Sequence, residues 1–77
     1  MSKLRLMQTG HGDKELVTWS SDDAVGIMEA RQVFSRHLEM GHMAFRLFPD
    51  RPGTSEIIKE LIGDEDEVLL VPPIQGG

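Results

Sequence analysis

The stretch Glu67-Val68-Leu69-Leu70-Val71 lies close to the end of the 77-residue chain and is continuously apolar after its first residue. A run of this length without polar alternation is typical of a strand that is buried on both faces of a sheet, beside a parallel neighbour. Because such a strand needs partners on both sides, the other elements must be arranged around it. We therefore predict a sheet with residues 67–71 at its centre.

Two strands are predicted near the N-terminus. Residues 3–8 alternate basic and apolar side chains, as a half-buried strand does, and residues 14–19 are rich in β-branched and aromatic side chains. Residues 9–13 between them contain two glycines, which can take positive φ angles and therefore favour a turn. The pattern predicts an antiparallel hairpin with Val17 and Trp19 on the core face.

One long helix is predicted from Asp22 to about Met40. Residues 20–23 supply capping oxygens and acidic side chains that suit the positive end of the helix dipole, and no proline interrupts the segment. Gly41 is well placed for the left-handed conformation that follows many helices. The side chains expected to form the apolar stripe, at 3.6 residues per turn, are Ala24, Ile27, Met28, Phe34 and Leu38, with Ala30 at its edge.

Residues 43–48 form the next predicted strand, and residues 54–62 are interpreted as a short helix closed by Gly63, with an edge strand as the alternative. Right-handed crossover places residues 67–71 parallel to the first strand. The sequence thus predicts an α+β fold in which a mixed four-stranded sheet has one long helix packed across one face.

The charge distribution argues against nucleic acid as a partner. The net charge is −5, and residues 54–67 hold six acidic side chains against one lysine, while no basic stripe is present. We expect Asp64-Glu65-Asp66-Glu67 to form a solvated acidic turn. Cysteine is absent and no apolar run is long enough for a signal peptide or a membrane span, so we expect a cytoplasmic monomer without membrane contact.

The C-terminal tail, residues 72–77, reads Pro-Pro-Ile-Gln-Gly-Gly. Together with the length and the element order, this ending resembles that of ubiquitin-like β-grasp proteins, and the similarity of organisation covers the whole chain. Residues 63–77 are similar to the ends of the small sulfur-carrier subunits of molybdopterin and thiamine synthesis, where an acidic turn, an apolar strand and a Pro-Pro-apolar-x-Gly-Gly tail follow in this order. The long helix and residues 41–46 resemble small bacterial ubiquitin-like proteins instead.

The resemblance implies a function for the terminal carboxylate. A partner activating enzyme would adenylate the carboxylate of Gly77, with Gly76 beside it, and the product would become a thiocarboxylate or pass through a thioester to a protein amine. No catalytic residue, metal or cofactor is then assigned to this chain, which is expected not to be an enzyme. Its expected partners are the activating enzyme and an acceptor protein or synthase subunit.

The residue types of the tail suit this chemistry on physical grounds. Two residues without Cβ atoms can pass through a narrow channel that any side chain would block. Pro72 and Pro73 fix φ at successive positions and favour an extended segment, and Ile74 offers an apolar anchor. The residues assigned to tail recognition are Pro72, Pro73, Ile74 and Gln75. We divide the chain into a β-grasp domain, residues 1–71, and a flexible tail, residues 72–77.

A second candidate surface is predicted on the strand at 43–48. If the helix covers one face of the sheet, Ala44, Arg46 and Phe48 lie on the open face and form a patch that docks the partner. His37, His42 and Glu39 are interpreted as surface polar groups, not as a metal site. The alternative function is an interaction or assembly module that keeps the fold and never uses its C-terminus.

Overall fold

The chain folds into an α+β domain of one helix and a five-stranded mixed sheet, as seen in a computed structural model that describes residues 1–8, 10 and 12–74. The elements in chain order are β1 (Ser2–Leu6), β2 (Lys14–Trp19), α1 (Ala24–Glu39), β3 (Met43–Leu47), β4 (Ser55–Ile58) and β5 (Glu67–Val71). The predicted hairpin, the long helix and the strand at residues 67–71 are all confirmed.

Strand β5 occupies the centre of the sheet, whose order is β2-β1-β5-β3-β4. It runs parallel to β1, with Leu4 opposite Val68, and antiparallel to β3, with Phe45 opposite Leu69. The parallel pairing requires a crossover connection, and this connection includes α1. The central position and the parallel neighbour predicted from the apolar run are therefore both correct.

Of the two structures considered for residues 54–62, the edge strand is correct, and the short helix, with the four-stranded sheet that it implied, is wrong. Ser55–Ile58 pairs antiparallel with β3 and adds a fifth strand at the edge of the sheet. A tight turn precedes it, because the Arg51 amide donates to the Phe48 carbonyl and Gly53 takes a φ of +87°. Pairing satisfies the outer backbone groups of β3, which a short helix would have left open, and the two consecutive isoleucines suit a strand.

The helix packs across one face of the sheet. The fully or almost fully buried apolar side chains come from the helix, the sheet and the loop between β4 and β5, and are Leu4, Val17, Trp19, Ala30, Phe34, Ala44, Leu61, Val68 and Leu70. The predicted core positions of Val17 and Trp19 are confirmed. The helix is rotated relative to the predicted stripe, since Ala24 and Met28 are exposed while Gly26 and Ala30 are buried.

Gly26 explains this rotation. A Cβ atom at Gly26 would lie 2.9 Å from the Trp19 Cβ and would overlap the carboxylate of Asp23, which caps the helix by accepting from the Gly26 amide. Only a residue without a side chain lets the first turn of α1 approach β2 this closely. A periodicity count scores glycine as weakly apolar and therefore places it outside the stripe.

A buried polar cluster holds the loop between β4 and β5 against the core. The Trp19 indole donates to the Gly63 carbonyl at 3.0 Å, and the Glu65 carboxylate accepts from the amides of Ile62 and Gly63 at 2.9 and 2.7 Å. Glu65 is 1% exposed, so the prediction of a fully solvated acidic turn is wrong at this position. Satisfying two amides compensates the burial of the carboxylate, and Gly63 is free to take a φ of +118°.

Candidate functional site

The C-terminal tail begins at the end of the central strand. Pro72, Pro73 and Ile74 follow β5 directly and are exposed, and Ile74 is 97% exposed. An isoleucine that is exposed to this degree is not part of the domain's core, and its side chain is accessible to another molecule. Of the six residues predicted to act in the tail, the other three, Gln75, Gly76 and Gly77, lie outside the described residues.

The predicted partner patch of Ala44, Arg46 and Phe48 is not an open surface. Ala44 is 1% exposed and belongs to the core, because the register places it opposite Leu70 on the face that the helix covers. Arg46 lies on that same face, opposite Val68. The assignment of faces on β3 was therefore inverted.

Arg46 and Phe48 do contact each other, but in a different setting. The Arg46 guanidinium carbon lies 5.2 Å from the centre of the Phe48 ring, and that of Arg51 lies 4.5 Å from it. Arg46 also approaches the Asp64 carboxylate at 3.9 Å. Two cations against one half-buried ring fix the chain around the β3–β4 turn, so this cluster has an evident packing role. Arg51 was not assigned any role from the sequence.

The open face of the sheet carries a different set of side chains, which we call the open-face patch. Its members alternate with the core residues of β3, β4 and β5, so they lie on the face of the sheet opposite α1. They are Met43, Phe45 and Leu47 of β3, Ile57 of β4, and Leu69 and Val71 of β5.

The open-face patch is continuous across three strands. Phe45 lies between Leu69 on β5 and Ile57 on β4, and Met43 lies opposite Val71. Directly opposed side chains in antiparallel strands lie within contact reach of each other. Met43 is 47% and Ile57 is 57% exposed, whereas the other members are half-buried. Such a row of apolar side chains on an uncovered face is typical of an interaction surface.

One signal in the sequence could have located this patch. Residues 68–71 are apolar at every position, so the strand must present apolar side chains on both faces. The neighbouring strand at 43–48 has apolar side chains on both faces too, with Arg46 as the one charged residue, and period-2 alternation cannot say which face the helix covers. The small Ala44 was the better candidate for the covered face, because a helix can approach a sheet most closely over a small residue.

Charges flank the patch at the end of the sheet opposite the tail. Arg5 donates to Glu67 at 2.7 Å and to Asp13 at 2.6 Å, which joins β1, β5 and the first hairpin. Glu67 is therefore engaged in an internal ion pair, and Glu65 is buried. Asp64 and Asp66 are the exposed members of the predicted acidic turn.

The two histidines at the end of α1 contact each other. Their ring centres are 4.9 Å apart in an edge-to-face arrangement, and the Nδ1 of His37 lies 2.8 Å from the carbonyl of Val33. Within the described part of the chain, no three His, Asp or Glu side chains are grouped so that they could hold a metal ion. The third histidine, His11, is outside the described residues.

None of the described residues forms a helix that has both the length and the apolar character needed to span a bilayer. Comparisons with known proteins found no matching protein family, curated protein or solved structure.

Proposed function

We propose that the chain is a ubiquitin-like β-grasp carrier whose C-terminal glycine carboxylate is activated by a partner enzyme. The observation that carries this proposal is the exit of the tail from the centre of the sheet, with Pro72, Pro73 and Ile74 exposed directly after β5. Because β5 is paired on both sides, it fixes the start of the tail that another protein must bind. The order of elements and the parallel pairing of β5 with β1 support the β-grasp assignment.

The chemistry proposed for the tail needs a separate catalyst. A carboxylate is a poor electrophile, so acyl transfer requires a good leaving group. An oxygen of the Gly77 carboxylate attacks the α-phosphorus of ATP, pyrophosphate leaves, and an acyl-adenylate forms. A sulfur nucleophile then displaces AMP, which yields a thiocarboxylate or a thioester. This chain contributes the acyl group and the surfaces that place it, while the partner supplies ATP binding and acid–base groups.

The open-face patch is the proposed docking surface for that activating enzyme. Val71 is both the last residue of β5 and a member of the patch, so an enzyme that holds the tail meets this face first. Met43 lies directly opposite Val71 and is half exposed. Apolar side chains at the centre of an interface, once desolvated, supply most of the binding energy.

Replacing Met43 with glutamate is expected to raise the KM for the chain about tenfold with little change in kcat, because the charge would be buried against the enzyme. Met28→Glu is the matched control, since Met28 is 62% exposed on α1, outside the open-face patch. Steady-state activation assays on both variants measure the effect. Equal KM values for Met43→Glu and the wild type would exclude this docking face.

The direct test of the proposal is ATP–pyrophosphate exchange. The full chain is incubated with ATP, labelled pyrophosphate and, in turn, each purified adenylating enzyme encoded by the same genome. Exchange that depends on the chain is expected with one of them. Failure of every such enzyme to catalyse exchange would contradict the proposal.

A second function, an interaction module that never uses its terminus, is favoured by the open-face patch alone. Such a module needs an apolar surface but no reactive end. It predicts that deleting Gly76 and Gly77 leaves partner binding and cellular function intact, whereas the carrier loses its function.

A further inference from the structure

The tail keeps to the line of β5 for two residues beyond the last paired position. Val71 lies opposite Met43 in the antiparallel register, and continuing that register by two residues places Pro73 opposite Gly41. A Cβ atom at Gly41 would lie 3.7 Å from both Cβ and Cγ of Pro73. The proline ring therefore lies over the turn between α1 and β3, at a distance where a methyl group on residue 41 would just touch it.

The turn between α1 and β3 is held by two backbone hydrogen bonds. The Gly41 amide donates to the Leu38 carbonyl and the His42 amide donates to the His37 carbonyl, both at 3.0 Å, which together close the end of α1. Gly41 takes a φ of +93°, a conformation that other residues adopt only with strain. Since its amide already has a partner, Gly41 is not available as a full ladder partner for the tail.

The two prolines of the tail cannot donate backbone hydrogen bonds to the neighbouring strand. Neither Pro72 nor Pro73 has a backbone N–H, so the β3–β5 ladder stops at Val71. Besides the fixed φ of proline, the feature that distinguishes residue 73 is the position of its ring over Gly41. The contact thus differs in kind from the strand pairing that precedes it.

We propose that the packing of Pro73 on Gly41 sets the direction in which the tail leaves the domain, and that both are positioning residues for the terminal carboxylate. The role in activation rests on the proposed function, whereas the effect on the direction of the tail does not. A segment that is already ordered loses less conformational entropy when an enzyme captures it. The ring therefore lowers the concentration of chain needed for capture.

Pro73→Ala tests this inference, with Pro72→Ala as the matched control. Both variants remove one exposed proline and restore one N–H, but only Pro73 packs on Gly41. Substituting Gly41 itself is less informative, because its positive φ would strain the turn as well.

The first measurement is NMR on the free full-length chain. The wild type is expected to show cross-peaks between the Gly41 α-protons and the Pro73 ring, and a heteronuclear NOE at the Ile74 amide well above that of a free terminus. In Pro73→Ala the heteronuclear NOE at the Ile74 amide should fall to that of a free terminus, whereas in Pro72→Ala it should stay at the wild-type value. The inference would be overturned if the wild type showed no such cross-peaks, or if the heteronuclear NOE at the Ile74 amide were unchanged in Pro73→Ala.

The second measurement is the KM for the chain in ATP–pyrophosphate exchange. Pro73→Ala is expected to raise KM about tenfold at unchanged kcat, because the tail then loses its conformational entropy only when the enzyme binds it. Pro72→Ala is expected to raise KM less. Equal effects of the two substitutions would overturn the role in activation. If the wild type gives no exchange, the proposed function fails, while the NMR result still decides whether Pro73 directs the tail.

Discussion

Trp19→Ala is expected to unfold a large fraction of the domain at physiological temperature. Trp19 is 1% exposed, is the largest fully buried side chain and donates to the Gly63 carbonyl. Truncating a buried tryptophan costs about 3–5 kcal/mol, and leaving a buried carbonyl unpaired adds about 1 kcal/mol or more. The whole stability of a domain this small is only about 4–12 kcal/mol.

The measurement is thermal denaturation followed by far-UV circular dichroism, because the variant has no tryptophan fluorescence. We expect a decrease in Tm of more than about 10 °C. Trp19→Phe serves as the control: it keeps most of the ring volume and loses the hydrogen bond, so its Tm should lie between those of the wild type and Trp19→Ala. A Tm for Trp19→Ala equal to that of the wild type would contradict this description of the core.

Gly77→Trp is expected to reduce ATP–pyrophosphate exchange by at least about 10²-fold while leaving the fold intact. An activation site that admits a chain without Cβ atoms cannot pass an indole, and even small displacement of a reacting group costs about that much in rate. The circular dichroism spectrum and Tm should match those of the wild type, because no core contact involves the described part of the tail.

Ile62→Trp is the matched control for Gly77→Trp. It adds the same side chain at a position that is 68% exposed in the loop before β5, away from the tail. Exchange should continue with Ile62→Trp at close to the wild-type rate. Undiminished exchange with Gly77→Trp would show that the terminal residue does not enter the activating site.

Most of the fold was predictable because its strongest elements have strong local patterns. The apolar run at residues 67–71 required two neighbouring strands, the glycine turn required a hairpin, and the capped segment before Gly41 required a helix. Each of these patterns is set by residues close together in the chain. The parallel pairing of β5 with β1 then followed from the rule of right-handed crossover.

The errors arose where tertiary contacts decide between two locally acceptable structures. Ser55–Ile58 suits a capped helix as well as a strand, and only the open edge of β3 selects the strand. Likewise the alternation in β3 fits either face, and only the packing of α1 over Ala44 selects one. Ala44 and Arg46 were therefore expected on the open face, although they lie on the covered one.

The composition of residues 72–77 predicts an extended segment, but it cannot predict which part of the domain lies beside it. The two prolines favour an extended segment and the two glycines lack Cβ atoms, and both properties follow from the sequence alone. The proximity of Pro73 to Gly41 brings together residues 32 positions apart, and it depends on the register between β3 and β5. The register between β3 and β5 cannot be predicted from the pattern of residues within either strand.

The most direct test of the proposed carrier function is the intact mass of the chain, tagged at its N-terminus and recovered from cells of the organism that encodes it. A sulfur carrier predicts a species in which one oxygen has been exchanged for sulfur, and a protein modifier predicts high-mass conjugates. Either product should vanish when Gly76 and Gly77 are deleted. If only the unmodified mass is recovered under every growth condition, and the deletion has no effect on cells, the terminal carboxylate is not the working part of this protein.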